Sequence, residues 1–246
     1  MGRNHPVPPI PANAIRPQCC GRHPAVDTLP HNANLHLWGK KETAACPLCG
    51  ERQTLIHVLN NCRVALDLRR YNHRHDSVLS VLADTVKEKL PPFSADLGPS
   101  YNFPQHITPT DLKPDIVWWN DEKNLLRIVE LTIPFETTLE DAAERKETKY
   151  EELVQSAQQA GYTTTLTTIE VGARGVPHMP GFQTLKQDLQ LTITEFISLL
   201  HQVSQRAIDG SFEILYNYGA VETELPSEST LSLLYNFCQQ FLYIIL

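Results

Sequence analysis

Apolar and polar residues follow two different periods along this chain, and the changes of period divide it. From residue 62 to 90 the apolar positions recur at helical spacing: Val64, Leu68 and Tyr71, then Val78, Leu82 and Val86. Residues 114–132 (PDIVWWNDEKNLLRIVELT) read instead as two extended runs around a polar turn. The helical period returns over residues 138–160. There Thr138 with Asp141 resembles a capping box, and Gly161 stands where a helix ends. Residues 162–171 (YTTTLTTIEV) predict a strand. Gly172, Gly175, Pro177 and Pro180 predict a loop, and residues 185 to about 208 a last helix. The order helix, strand, strand, helix, strand, helix predicts an α/β core with mixed strand pairing. Residues 1–33 hold seven prolines and predict irregular backbone, with residues 34–38 a short helix or packing anchor. Residues 91–112 read as a Pro-rich connection.

Composition bounds this picture. A chain of 246 residues with 41% hydrophobic content holds one good-sized core, or a domain and a small module. No hydrophobic leader precedes it, so a signal peptide is not expected. No apolar run reaches membrane-spanning length. The nearest, residues 231–246, is short and broken by Asn236, Gln239 and Gln240. The net charge of −7 argues against a uniformly basic nucleic-acid binder. The charge is uneven, however. Residues 1–75 carry ten Lys and Arg against four acids, with seven of the ten histidines; residues 76–246 carry eleven against 24. A basic front on an acidic body suits a phosphate-facing front end.

Three of the six cysteines lie close together with a histidine: Cys46-x2-Cys49-x7-His57-x4-Cys62. Zinc takes four such ligands in a tetrahedron, and a CxxC turn supplies two thiolates at once. Four protein ligands leave no open position, so the site is expected to be structural. It would orient basic side chains such as Arg52 and Arg63 toward nucleic acid. Cys19, Cys20 and Cys238 carry no assigned role.

The hairpin carries the second candidate chemistry. With a turn over residues 120–124 and Trp119 facing Leu126, Asp115 falls opposite Glu130 on the same face. Two carboxylates that close repel, and a divalent cation such as Mg²⁺ removes the cost. Phosphodiester hydrolysis also needs a cation near the attacking water. A lysine two residues after the second acid would serve, but Thr132 stands there. The following helix supplies one. Its apolar seam runs 139, 143, 146, 150, 153, 157, 160, and Lys146 fills the gap; Lys149 sits at the seam's edge.

These residues reach a known family. Cys46, Cys49, His57 and Cys62, then Arg74-His75-Asp76, Lys113-Pro114-Asp115, Glu130-Leu131-Thr132 and Lys146-Glu147-Thr148-Lys149-Tyr150 stand in one order. That order resembles the C-terminal region of non-LTR retrotransposon proteins with a restriction-like endonuclease, across about residues 25–210. Asp76 replaces the usual Asn, and Glu130 the commoner Asp. No reverse transcriptase motif is present, so the chain looks like a fragment or relic of such an element.

The resemblance implies a restriction-endonuclease-like PD-(D/E)xK core, a mixed sheet flanked by helices behind a CCHC zinc knuckle. It divides the chain into a Pro-rich segment (1–43), the knuckle (44–65), the endonuclease domain (66–210) and a divergent tail (211–246). By the same resemblance, Asp115 and Glu130 bind catalytic Mg²⁺ or Mn²⁺. Lys146, with Lys149 as the alternative, is the catalytic lysine, and Arg74 and His75 lie near the DNA path. DNA, with element RNA as a further candidate, is the implied partner, and a nuclear location follows from a DNA substrate. The alternative is a catalytically inactive nucleic-acid-binding relic.

Overall fold

A computed structural model of the chain describes residues 29–89 and 93–217. Cys19, Cys20, Cys238 and the apolar run at 231–246 lie outside the described residues. The core is a four-stranded mixed sheet with helices on both faces. Its strands are β1 (Phe93–Ala95), β2 (Ile116–Asn120), β3 (Leu125–Thr132) and β4 (Thr163–Glu170), in that spatial order. The first three are antiparallel; β3 and β4 are parallel. A parallel step needs a crossover, and α4 (Leu139–Gln159) provides it.

Strand alternation sorts the core into two layers. Val117, Leu126 and Ile128 face α4, where Tyr150, Leu153 and Ala157 meet them. Ile116, Trp118, Val129, Leu131 and Ile169 face the opposite way. There they pack against α3 (Asn72–Lys89), α5 (Met179–Asp188) and α6 (Ile193–Asn217) through Val78, Leu82, Phe182, Leu185, Leu199 and Val203. Glu130 follows Ile128 on the α4 side, so a carboxylate sits beneath the helix that carries Lys146.

The hairpin register is the predicted one: Trp119 pairs with Leu126 and Ile116 with Val129. Asn124, at φ 46°, closes the turn in the left-handed region that Asn tolerates. Elsewhere the elements differ from expectation. The stretch expected to be a Pro-rich connection contains β1, three residues long and recognisable only by its partner. The helix expected over 62–90 is two, α2 (Arg63–Asp67) and α3, separated by a turn with Arg69 at φ 55°. The helix expected from 185 is also broken. The α6 start is a true capping box, in which Glu195 N–H donates to Thr192 Oγ1 while Thr192 N–H donates to Glu195 Oε2. Thr138 forms no such box; its hydroxyl donates to Phe135 O at 3.0 Å. Finally, α6 runs unbroken past residue 210, so residues 211–217 belong to the body rather than to a separate tail.

The Cys/His module is packed onto this body. Leu55, Val58, Leu59 and Ala65 form one buried cluster with Ala173 and Ile214, and Phe135 packs against it. Residues N-terminal to the module join it too. α1 (Asn32–Leu37) is stitched on by Asn32, whose N–H donates to Gln53 Oε1 and whose Nδ2 donates to Ala45 O, each at 2.7 Å.

Candidate active site and metal centre

Cys46, Cys49, His57 and Cys62 each offer one ligand atom, all within 4.8 Å of one another. The Cys46 and Cys62 sulfurs are 4.0 Å apart, and Cys49 Sγ is 3.3 Å from His57 Nε2. A tetrahedral ion with Zn–S bonds of about 2.3 Å separates its ligand atoms by roughly 3.5–3.8 Å. The cluster is therefore compatible with a structural zinc. The local chain explains the geometry. Gly50, at φ 79°, turns the backbone so that its N–H donates to Cys46 O, closing the CxxC loop. A single π-helical turn, His57–Asn61, then delivers His57 and Cys62. Glu51 lies 3.7 Å from His57 Nδ1, behind the nitrogen that faces the cysteines. Burial pushes the Cys46 thiol up to about 11, against the lowering influence of the Cys49 and Leu48 backbone N–H groups. A bound cation has to displace that proton.

The second centre is built across β2 and β3. Asp115 precedes β2 at the position opposite Glu130, and both are buried, at 8% and 2% exposure. Backbone donors hold the pair in a crossed arrangement. Asp115 N–H donates to Glu130 Oε2 at 3.2 Å, and Leu131 N–H donates to Asp115 Oδ2 at 2.7 Å. Lys146 reaches from α4 to pair with Glu130 Oε1, and Lys149 stands 3.7 Å from the same oxygen. Lys149 also donates to Tyr150 Oη at 2.8 Å, and Tyr150 in turn donates to Lys113 O. His75 Nε2 is 3.5 Å from Asp115 Oδ2, and its Nδ1 is 3.1 Å from Asp76. Burial pulls the His75 imidazolium down, but its bond to Asp115 and the Asp115 and Asp76 charges outweigh that and raise it to about 9. Thr132, beyond Glu130 on β3, supplies no charge.

The structure thus brings Asp115, Glu130, Lys146, Lys149 and His75 together. It does not put Arg74 on a surface. Arg74 is 2% exposed, and its guanidinium donates to Leu59 O at 2.9 Å, Ser211 Oγ at 2.8 Å and Ile133 O at 3.4 Å. It ties the Cys/His module, the end of β3 and α6 to one point. Gly210 lets α6 come this close: a Cβ there would lie 2.6 Å from the Arg74 Cβ. Burial lowers the Arg74 guanidinium to about 10, against the raising influence of Tyr71 and Glu136, so it stays charged at neutral pH. The expectation that Arg74 lines the DNA path gives way to a structural clamp. Arg74→Met leaves the Leu59 carbonyl and Ser211 without this donor. A loss of about 3 kcal/mol, roughly 10 °C in thermal melting, is expected. An exposed control, Arg63→Met, should shift melting by less than about 2 °C.

Two residues here were not singled out from the sequence. Asp96 N–H donates to Asp115 O at 2.8 Å, continuing the β1–β2 ladder and placing Asp96 opposite Asp115. The Tyr101 hydroxyl is buried without a hydrogen-bond partner, and burial, then Asp96, Glu130 and Asp115, push its pKa upward. Only the β1 register could have pointed to either residue, and β1 is too short to read. In comparison with known proteins, no family model matches the chain and no curated protein matches it.

Proposed function

We propose that this chain is a metal-dependent DNA endonuclease of the non-LTR retrotransposon type, with a PD-(D/E)xK core and a zinc knuckle that aids nucleic-acid binding. One observation carries the reading. Asp115 and Glu130 meet in register on the sheet, and the lysine absent from position 132 arrives from α4 as Lys146. Such a convergence of buried acids and a lysine has no need to exist for stability. The mixed sheet flanked by helices suits the same core.

Asp115 and Glu130 would hold Mg²⁺ or Mn²⁺. The donor set fits: both ligands are carboxylates, and Asp115 Oδ1 takes no hydrogen bond from the described residues. When bound, such an ion would supply Lewis acidity toward the phosphate and a more acidic water. The chain's own groups do the remainder. Lys146 places a positive charge where negative charge accumulates on the phosphate in the transition state. His75 and the Leu131 N–H hold Asp115 in place. Arg52 and Arg63, exposed on the knuckle, supply charge toward the DNA backbone. A DNA substrate carries with it a nuclear location.

The test is conversion of supercoiled plasmid to nicked circle. Nicking should require Mg²⁺ or Mn²⁺ and fall to the protein-free background in Asp115→Ala. Equal nicking by wild type and Asp115→Ala would assign the activity elsewhere. A second reading, a binding relic without catalysis, draws on one feature. Glu130 is already met by Lys146 and the Asp115 N–H, and no third acid or histidine lies within metal-binding distance of both carboxylates among the described residues. That reading expects salt-dependent DNA binding and no cleavage with any divalent ion.

A further inference from the structure

Beside the carboxylate pair opens a cleft of about 430 Å³. One wall belongs to the Cys/His module and the helix that follows it, through Asn60 and Asn61 and through Leu66 of α2. The other belongs to α4, through Arg145 and Lys146, with residues 131–135 as the floor. Three basic side chains face it, His75, Arg145 and Lys146; His75 and Lys146 are paired with Asp115 and Glu130 behind the wall, whereas Arg145 forms no ion pair among the described residues. In a chain of net charge −7, Arg145 brings a positive charge to this wall that no acid offsets by contact, and it suits an anion. Asn60 Nδ2 donates to Ile133 O at 2.7 Å and fixes this wall to the end of β3, while Asn61 beside it is exposed. Leu66, 61% exposed, adds an apolar surface at the mouth.

The size selects the anion. A cavity within the range of about 300–1,000 Å³ takes a group the size of a small molecule. A nucleotide fits that description, whereas a duplex does not. We infer that the cleft receives one unpaired deoxynucleotide beside the scissile phosphate. Its phosphate lies toward Arg145 and Lys146, and its base lies against Leu66 and within reach of the exposed Asn61 amide. The inference rests on the reading of Asp115, Glu130 and Lys146 as a phosphodiester-cleaving centre. It adds a substrate class: DNA with a locally opened strand, not an intact duplex. It also gives the Cys/His module a second task, as half of a substrate pocket.

The test compares binding of the zinc-loaded full chain to three labelled DNA hairpins at one salt concentration. Ca²⁺ replaces Mg²⁺ so that the DNA stays uncut. The first hairpin is fully paired, the second carries one unpaired nucleotide, and the third has an abasic residue at that position. The unpaired nucleotide should tighten Kd about tenfold, the size expected of one bound base, and the abasic residue should lose most of that gain. Asn61→Trp, at an exposed position, fills the cleft and should bring the ratio of unpaired to paired affinity near one. Equal Kd values for the three hairpins in the wild-type chain would overturn the inference. Plasmid nicking without this preference leaves the nuclease reading standing and ends this one. The preference without nicking ends the nuclease reading and with it the placement beside a scissile phosphate, leaving a cleft that binds an unpaired nucleotide.

Discussion

Chelating the metal from the Cys/His module should unfold residues 46–67 and lower the melting temperature of the whole chain by roughly 10 °C or more. The module has no sheet of its own beyond a single bridge between Ala45 and Arg52. Its interior is a few side chains, chiefly Leu55, Val58, Leu59 and Ala65 with the ligand cysteines Cys46 and Cys62. A core that small does not hold a chain together unaided, and structural zinc contributes about 10–16 kcal/mol in isolated fingers. Here the damage should spread. The Leu59 carbonyl receives Arg74, and Asn60 donates to Ile133 O at the end of β3. Tyr71 donates to Val58 O, and Ile214 of α6 packs into the same cluster. Melting the module removes partners from α3, β3 and α6 together. His75, which contacts Asp115, is the next residue after Arg74, so loss of zinc should also loosen the carboxylate centre. Metal content by mass spectrometry and amide exchange over residues 46–67 give the measurement. A metal-free chain with unchanged exchange and melting would show that these four residues hold nothing structural.

What the sequence made legible depended on where the determining partner lay. The Asp115–Glu130 pairing was readable because a four-residue turn and the alternation of Ile116 to Trp119 fix the register locally. Lys146 was readable because α4 has a single apolar seam and a lysine interrupts it. The clustering of Cys46, Cys49, His57 and Cys62 was readable because their spacing is itself the signal. β1 was not, since three residues between a loop and a proline-rich stretch carry no period, and only β2 makes them a strand. The breaks at Arg69 and Gln190 were missed because both residues adopt positive φ without being Gly or Asn. For Arg74 the reason differs. Its place near the DNA path is implied by the resemblance alone, and its burial depends on Ser211, 137 positions away, and on the close approach at Gly210. Long-range partners of this kind leave no trace in local pattern.

Lys146→Met should lower the nicking rate by about 10²–10³-fold, while Lys149→Met should cost about tenfold or less. The two lysines lie one helical turn apart and both approach Glu130 Oε1, yet their settings differ. Lys146 contacts the oxygen directly and is 28% exposed; Lys149 is 3.7 Å away and 45% exposed. Lys149 also has other employment, donating to the Tyr150 hydroxyl and lying 4.4 Å from the Tyr150 ring centre. A charge already fixed on a buried phenol is less free to follow a phosphate. The substitution at 146 has a second effect that must be separated from the first. Glu130, 2% exposed, loses its direct partner, and an uncompensated buried carboxylate destabilises the fold. Melting of each variant therefore accompanies the kinetics, which are run well below the lower midpoint. A loss of transition-state stabilisation lowers kcat with little change in KM, whereas partial unfolding removes active enzyme in proportion to the melted fraction. Lys146→Arg keeps the charge and should recover part of the rate. If Lys149→Met proves the more damaging, the catalytic lysine is one turn further along α4, and the Lys146–Glu130 pair is structural. If neither variant changes the rate, cleavage does not depend on this face of α4, and the carboxylate pair at Asp115 and Glu130 loses its claim to be the reacting centre.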